Sequence, residues 1–216
     1  MSNDILICVI TSSTNEDRIN TINKTWNYQN SINTIFVSDQ DNLDNNILKF
    51  SDSSDYKSAE DKTVNVLSYI KLNNRNKWYF IVDDDTFVNT KNLAKFVETA
   101  DPNFVYGYMA HKDWWNGLEY TQGGAGTLIS QEIIDKINYN TIRNYDTGYG
   151  DVSLGLIFNV NNIQIKGCSQ SEDCLFLEKS FKHYKYIEKE KLSEKITFHQ
   201  VRTYDDMKEI IDFYGA

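Results

Sequence analysis

The chain has 216 residues, 40% hydrophobic and 13% aromatic, which is enough apolar material for one buried core and excludes a disordered segment. Its 22 basic and 31 acidic residues leave a net charge of −9 with no run of Lys or Arg, which argues against a nucleic-acid partner. No apolar stretch reaches the ~18 residues of a membrane span, and the opening Met-Ser-Asn-Asp lacks the basic-then-apolar pattern of an export signal, so a cytoplasmic location is expected.

Residues 4–11 (DILICVIT) form a nearly continuous apolar run, the pattern of a parallel strand buried on both faces. Ser12, Ser13 and Thr14 offer N-caps for a helix through Trp26, with Ile19, Ile22 and Trp26 on its buried side. A second strand at 34–38 completes a β-α-β opening. A helix over 58–72 carries Val64, Leu67, Tyr69, Ile70 and Leu72 at helical spacing and feeds the strand 78–82 (WYFIV), which ends abruptly in Asp83, Asp84 and Asp85. A helix at 92–99 and a strand at 104–109 follow, then a loop whose Trp114 and Trp115 suit either a sugar-stacking platform or a satellite core.

The run Gly123-Gly124-Ala125-Gly126 is too glycine-dense for ordinary structure. Ser130 caps a helix reaching about 137, Asp151 opens another through 158, a strand covers 160–166, and an amphipathic helix covers 205–213. The alternation predicts one α/β domain over residues 1–216, a three-layer sandwich around a mostly parallel sheet. In such sheets ligands sit beyond the carboxyl ends of the strands, where Thr11, Asp39 and the three aspartates fall.

Three adjacent carboxylates after an apolar strand repel one another, and either a hard divalent cation, Mn2+ or Mg2+, or the role of a helix-capping turn accounts for them. A cation also answers how so acidic a chain could hold a phosphorylated ligand. The glycine run is a ligand cradle or a plain loop, and His199 is a metal ligand or a surface histidine. Asp151 reads equally as a helix N-cap or a functional carboxylate, and Arg18 as a solvated helix residue or a ligand contact. Of three cysteines, Cys8 sits in an apolar strand; Cys168 and Cys174 could close a short disulfide loop, but two free thiols in a reducing compartment are the simpler expectation.

In this order the pieces resemble the Fringe-like β-1,3-glycosyltransferases, the family that includes the core-1 galactosyltransferases. The landmarks are Arg18 with Thr25-Trp26, Phe36-Val37-Ser38-Asp39, Lys62, the stretch 78–89 (WYFIVDDDTFVN), Gly123-Gly124-Ala125-Gly126 with Ser130, Asp151-Val152 with Gly155, and Phe198-His199. The resemblance implies the nucleotide-binding A-type glycosyltransferase fold and transfer, with inversion, from a UDP-sugar donor. It implies Asp85 and His199 as metal ligands, Asp151 as general base, Asp83 and Asp84 near the ribose and donor sugar, and Thr11, Arg18 and Asp39 around the uridine. Lys62, Gly123 and Gly124 complete the implied donor site, while the acceptor could be a glycan, a protein or a small molecule.

Many members of that family carry a second acidic residue before the base, where this chain has Gly150. Being short and poor in cysteine, the chain also suggests a bacterial or viral relative working in a cytoplasm. Two other readings compete: an inactive sugar- or nucleotide-binding module on the same fold, and a metal-dependent phosphoryl transferase. The second lacks the Gly-x-x-x-x-Gly-Lys-Ser/Thr loop.

Overall fold

The computed structural model describes residues 4–28, 32–73, 75–112, 117–169 and 173–215. Its central strand, β1 (Ile5–Ile10), runs parallel to β2 (Asn33–Ser38) on one side and β4 (Trp78–Asp83) on the other. Outside β2 lies the short parallel β3 (Ile47–Lys49). Beyond β4 the direction reverses at β8 (Thr127–Ser130), which also pairs antiparallel with β6 (Val105–Lys112). β6 then forms a hairpin with β7 (Leu118–Thr121) and pairs parallel with β9 (Ile165–Cys168). The order is β3-β2-β1-β4-β8-β6-β7, with β9 alongside β6.

The period-2 alternation of β1 and β4 divides the core in two. Ile5, Ile7, Val9, Trp78, Phe80 and Val82 face one side, where they pack with Ile19 and Ile22 of α1 (Glu16–Lys24), Leu93 of α3 (Thr90–Val97) and Met207 and Ile210 of α7 (Tyr204–Tyr214). Cys8, Ile10, Tyr79 and Ile81 face the other, against Val64, Leu67 and Ile70 of α2 (Ser58–Leu72), Ile133 and Ile134 of α4 (Gln131–Lys136) and Leu154 and Ile157 of α5 (Gly150–Val160). These are the three layers expected of the sequence pattern.

A second sheet of very short strands lies on the α1 side: β5 (Phe87–Val88) pairs antiparallel with β11 (Thr197–Phe198), which pairs parallel with β10 (Phe176–Leu177). Between β10 and β11 runs the one-turn helix α6 (Lys189–Ser193).

Several boundaries differ from the sequence reading. The first helix is preceded by a 3-10 turn at Ser13–Asn15 and ends at Lys24, short of Trp26. α3 begins at Thr90 because Asn89 caps it by accepting from the Asn92 N–H. α5 extends to Val160, so the late strand starts at Ile165. Trp114 and Trp115 lie outside the described residues. The expectation of two free thiols is overturned: Cys168, at the end of β9, is bonded to Cys174 with a Cα–Cα distance of 5.4 Å. The cysteine count therefore lends no support to a reducing compartment. Cys8 is free, and burial pushes its thiol pKa up. No helix among the described residues is long and apolar enough to cross a membrane.

Just before α5 the chain wraps a carboxylate. Glu60 of α2, 3% exposed, accepts from the backbone N–H groups of Tyr145 (3.3 Å), Thr147 (3.1 Å) and Gly148 (2.7 Å) and from the Ser153 hydroxyl. Asp146 (φ 56°) and Gly148 (φ 74°) adopt left-handed conformations that turn these N–H groups inward, a nest for an anion that the protein fills with its own side chain. Burial opposes ionisation of Glu60, but the Ser153, Thr147 and Gly148 donors outweigh it and hold the carboxyl below its ordinary range. Because the folded pKa is depressed, the stabilisation is present above the unfolded value of about 4.3 and is lost as pH falls through the folded value. Glu60→Gln should therefore cost about 2 kcal/mol at neutral pH, and the gap from the parent should shrink at pH 3 in urea unfolding. A gap independent of pH would mean that the charge is not what organises the turn.

Candidate active site

Beyond the carboxyl ends of β1 and β4 opens a cavity of about 500 Å3, within the range of small-molecule sites. Thr11, Arg18, Lys62, Asp83, Asp84, Asp85, Gly123, Gly124, Asp151 and His199 all line it. Asp39 does not. It stands one layer back, accepting from the Ser13 N–H (2.9 Å) and hydroxyl (2.6 Å) with the Lys62 ammonium 3.4 Å away. Burial raises the Asp39 pKa, but the two Ser13 hydrogen bonds and Lys62 reverse this and hold it well below the usual carboxylate range.

The three aspartates are treated differently. Asp84, 4% exposed, is saturated: Thr11 Oγ1 (2.7 Å) and Asn15 Nδ2 (2.8 Å) donate to one oxygen and Arg18 Nη1 (2.5 Å) to the other. It ties α1 and its preceding turn to the end of β4. Asp85 meets His199 Nε2 at 3.0 Å through Oδ1 and Arg202 Nε at 3.0 Å through Oδ2. Burial pushes its pKa up, yet the His199 and Arg202 contacts win and keep it low. Among the described residues, no donor of this kind reaches Asp83. Burial pushes its carboxyl up to about 7, the nearby Asp85, Asp84 and Asp151 adding to the rise and His199 opposing it.

His199 sits directly after β11, and the antiparallel pairing of Phe198 with Phe87 of β5 brings it beside Asp85. Its two ring nitrogens both face acceptors, Nδ1 the Glu178 carbonyl at 3.0 Å and Nε2 the Asp85 carboxylate. Burial opposes the charged ring, but Asp85, Asp83 and the Glu178 carbonyl raise its pKa, favouring imidazolium.

The glycine run is neither a plain loop nor featureless. Gly123–Ala125 make a 3-10 turn whose Gly124 and Ala125 carbonyls accept from the buried hydroxyls of Thr86 and Thr197, both at 2.7 Å. These bonds dock the turn onto β5 and β11. A Cβ at Gly124 would stand 2.2 Å from the His199 ring, so only glycine admits the imidazole there. Trp26 supports the same region by donating from Nε1 to the Thr86 carbonyl at 3.1 Å.

Asp151 lies in the first turn of α5, where Tyr149 is the N-cap. Its Oδ2 accepts from the Gly123 N–H at 3.1 Å and its Oδ1 from the Val152 N–H at 2.8 Å. The side chain thus reaches across to the glycine turn at the cavity, which a mere helix cap would not require. Gly150 is packed tightly, since a Cβ there would meet Thr63 Oγ1 at 2.4 Å.

Asp83, Asp85 and His199 place one ligand atom each within 4.8 Å of one another, two carboxylate oxygens and one imidazole nitrogen. Such a group could hold a divalent cation, and the Glu178 carbonyl would keep the imidazole oriented. Asp83 thus belongs to the group that could hold a metal, as one reading of the three carboxylates allowed, whereas the resemblance implied a place near the ribose and donor sugar. That reading also missed Arg202, Glu60 and two exposed rim aromatics, Tyr56 and Tyr149. Arg202 had one faint signal, a basic residue three positions after His199 in an acidic chain.

The sequence profile of the Fringe-like family matches residues 1–213 of the chain. A beta-1,3-glucosyltransferase of Mus musculus is 31% identical over 107 residues, 45% of this chain and 21% of the mouse protein. The chain thus spans about a fifth of the length of that curated relative. Among solved structures the fold is similar to that of a glycosyltransferase involved in the glycosylation of the major capsid of PBCV-1, with a TM-score of 0.55 and 12% identity over 96% of this chain and 98% of that one. It is similar too to the apo form of GlyE from Streptococcus pneumoniae TIGR4, with a TM-score of 0.52 and 12% identity over 93% of this chain and 55% of that one. The architecture is the A-type glycosyltransferase fold. With its profile matched from residue 1 to residue 213, the chain belongs to the Fringe-like family.

Proposed function

We propose that this protein is a metal-dependent glycosyltransferase that moves a sugar from a UDP-sugar to an acceptor hydroxyl with inversion. The observation that carries the reading is the meeting, in one cavity at the carboxyl ends of the strands, of the Asp83, Asp85 and His199 group with the Asp151 carboxylate. The curated mouse relative is a glucosyltransferase, which supports a hexose donor.

In this reading the nucleotide lies along Thr11, Arg18 and Lys62, with Asp39 holding Ser13 and Lys62 in place from behind. Asp84 serves indirectly, by fixing the Arg18 guanidinium on the cavity wall. A divalent cation, Mn2+ or Mg2+, at Asp83, Asp85 and His199 would neutralise charge on the departing diphosphate. Asp151 takes the proton of the acceptor hydroxyl as that oxygen bonds to the anomeric carbon and the bond to UDP breaks. The Gly123 and Val152 N–H groups, one on each oxygen, aim the Asp151 carboxylate. Tyr56 and Tyr149, 76% and 41% exposed at the rim, offer ring faces to an acceptor sugar.

UDP binding should be strong with Mn2+ and at least ~10-fold weaker in EDTA by calorimetry, since the net charge of −9 otherwise opposes a diphosphate. Equal affinity in both would remove the metal from the proposal. Gly124→Ala should displace the His199 ring and lower Mn2+ affinity ~10- to 100-fold with the melting temperature little changed. Parental Mn2+ affinity in that variant would show that His199 is not a ligand. Asp151→Asn should reduce turnover ~100-fold or more while UDP affinity stays parental. Because Asn keeps the shape of the side chain and one of its two acceptor oxygens, near-parental turnover would leave Asp151 with a structural role alone.

A further inference from the structure

Among the described residues, three cationic side chains besides His199 line the cavity, and they differ in exposure. Lys62 is 2% exposed beside Asp39, and Arg18 is 31% exposed with its guanidinium 2.5 Å from the buried Asp84. Arg202 is 63% exposed, yet its Nε donates at 3.0 Å to Asp85, whose side chain is 8% exposed. It departs from the turn that delivers His199. Gln200, between them, has φ 60°, a left-handed conformation unusual for a residue with a side chain, and the Val201 N–H donates to the Asp85 carbonyl at 2.8 Å. The turn after β11 therefore grips Asp85 with one imidazole, one guanidinium and one backbone N–H.

We propose that Arg202 is the resident counter-cation of Asp85, displaced when a divalent ion takes that carboxylate and then used to bind the diphosphate of the donor. The inference rests on the metal reading above and goes beyond it. Both Asp85 oxygens are in use in the structure, Oδ1 by His199 and Oδ2 by Arg202, so an ion bound by Asp83, Asp85 and His199 takes the place of the imidazole contact and shares the carboxylate charge that now serves the guanidinium. Two cations on one carboxylate repel, and the more exposed and flexible one leaves. Once released, the guanidinium remains on the cavity wall, and its planar fork matches phosphate oxygens better than an ammonium would. Metal and diphosphate then favour each other: the ion frees Arg202, and the phosphates give it a new partner. Linkage makes that coupling reciprocal.

The test measures Mn2+ alone, and UDP at saturating Mn2+, by calorimetry on the parent, Arg202→Ala and Arg202→Lys. Arg202→Ala should bind Mn2+ alone about 3- to 10-fold more tightly, because its competitor is gone, yet bind UDP at saturating Mn2+ about 10-fold more weakly, because a phosphate partner is gone. Arg202→Lys should fall between parent and alanine in both measurements. Weaker or unchanged Mn2+ affinity in Arg202→Ala would overturn the exchange, the first outcome meaning that Arg202 merely orients Asp85. A parent whose UDP affinity ignores Mn2+ would instead sink the metal reading, and the exchange with it. The Arg202 side chain is exposed, so both variants keep the fold, which equal melting temperatures check.

Discussion

Three carboxylates in succession at the end of a buried strand repel one another, and the surrounding structure is arranged to meet that repulsion. Asp84 is met from the α1 side by Arg18, Thr11 and Asn15, which fastens the first β-α unit to the neighbouring strand. Asp85 is met from the opposite side by His199 and Arg202, which fastens the C-terminal segment to the same strand. Asp83 has neither among the described residues, and burial, with its acidic neighbours adding to it, pushes its carboxyl up. The protein thus spends two of the three charges on holding distant segments together and keeps the third poorly compensated at the cavity.

Much of this was legible in the sequence. The runs at 5–10 and 78–83 are apolar because both faces are covered, and α2 follows its predicted bounds because its apolar spacing is regular. The acidic block, the glycine run, Asp151 and His199 stood out as chemically costly residues. What stayed hidden depends on contacts between segments far apart in the chain. β5, β10 and β11 are two residues each and carry no periodicity, although they set the position of His199. Glu60 looks like any solvated helix residue until the 145–148 turn folds over it, and Arg202 has no local pattern that announces Asp85 as its partner. The short Cys168–Cys174 loop could be drawn either way until β9 fixed its geometry.

Gly150 looked like a defect in the resemblance, a missing acid before Asp151. The packing supplies the reason: Thr63 of α2 occupies the space a side chain would need. One helical turn earlier, Glu60 brings a carboxylate to the same segment from outside it and orders the turn that precedes Asp151. An acid is present near Asp151, but it comes from α2 and faces backbone donors instead of the cavity.

The pairing of Phe87 with Phe198 acts as a ruler. Asp85 lies two residues before one end of that pair and His199 one residue after the other, so their separation is a strand register and not a loop conformation. Register has a period of two, and a single inserted residue on either strand would turn the imidazole to the opposite face of the sheet. The rim residues Tyr56 and Tyr149 lie outside any strand and so outside that register. The fold therefore separates what can drift from what cannot: the rim can change without moving this pair, while a deletion or insertion between 85 and 87, or between 198 and 199, would part His199 from Asp85 in one step.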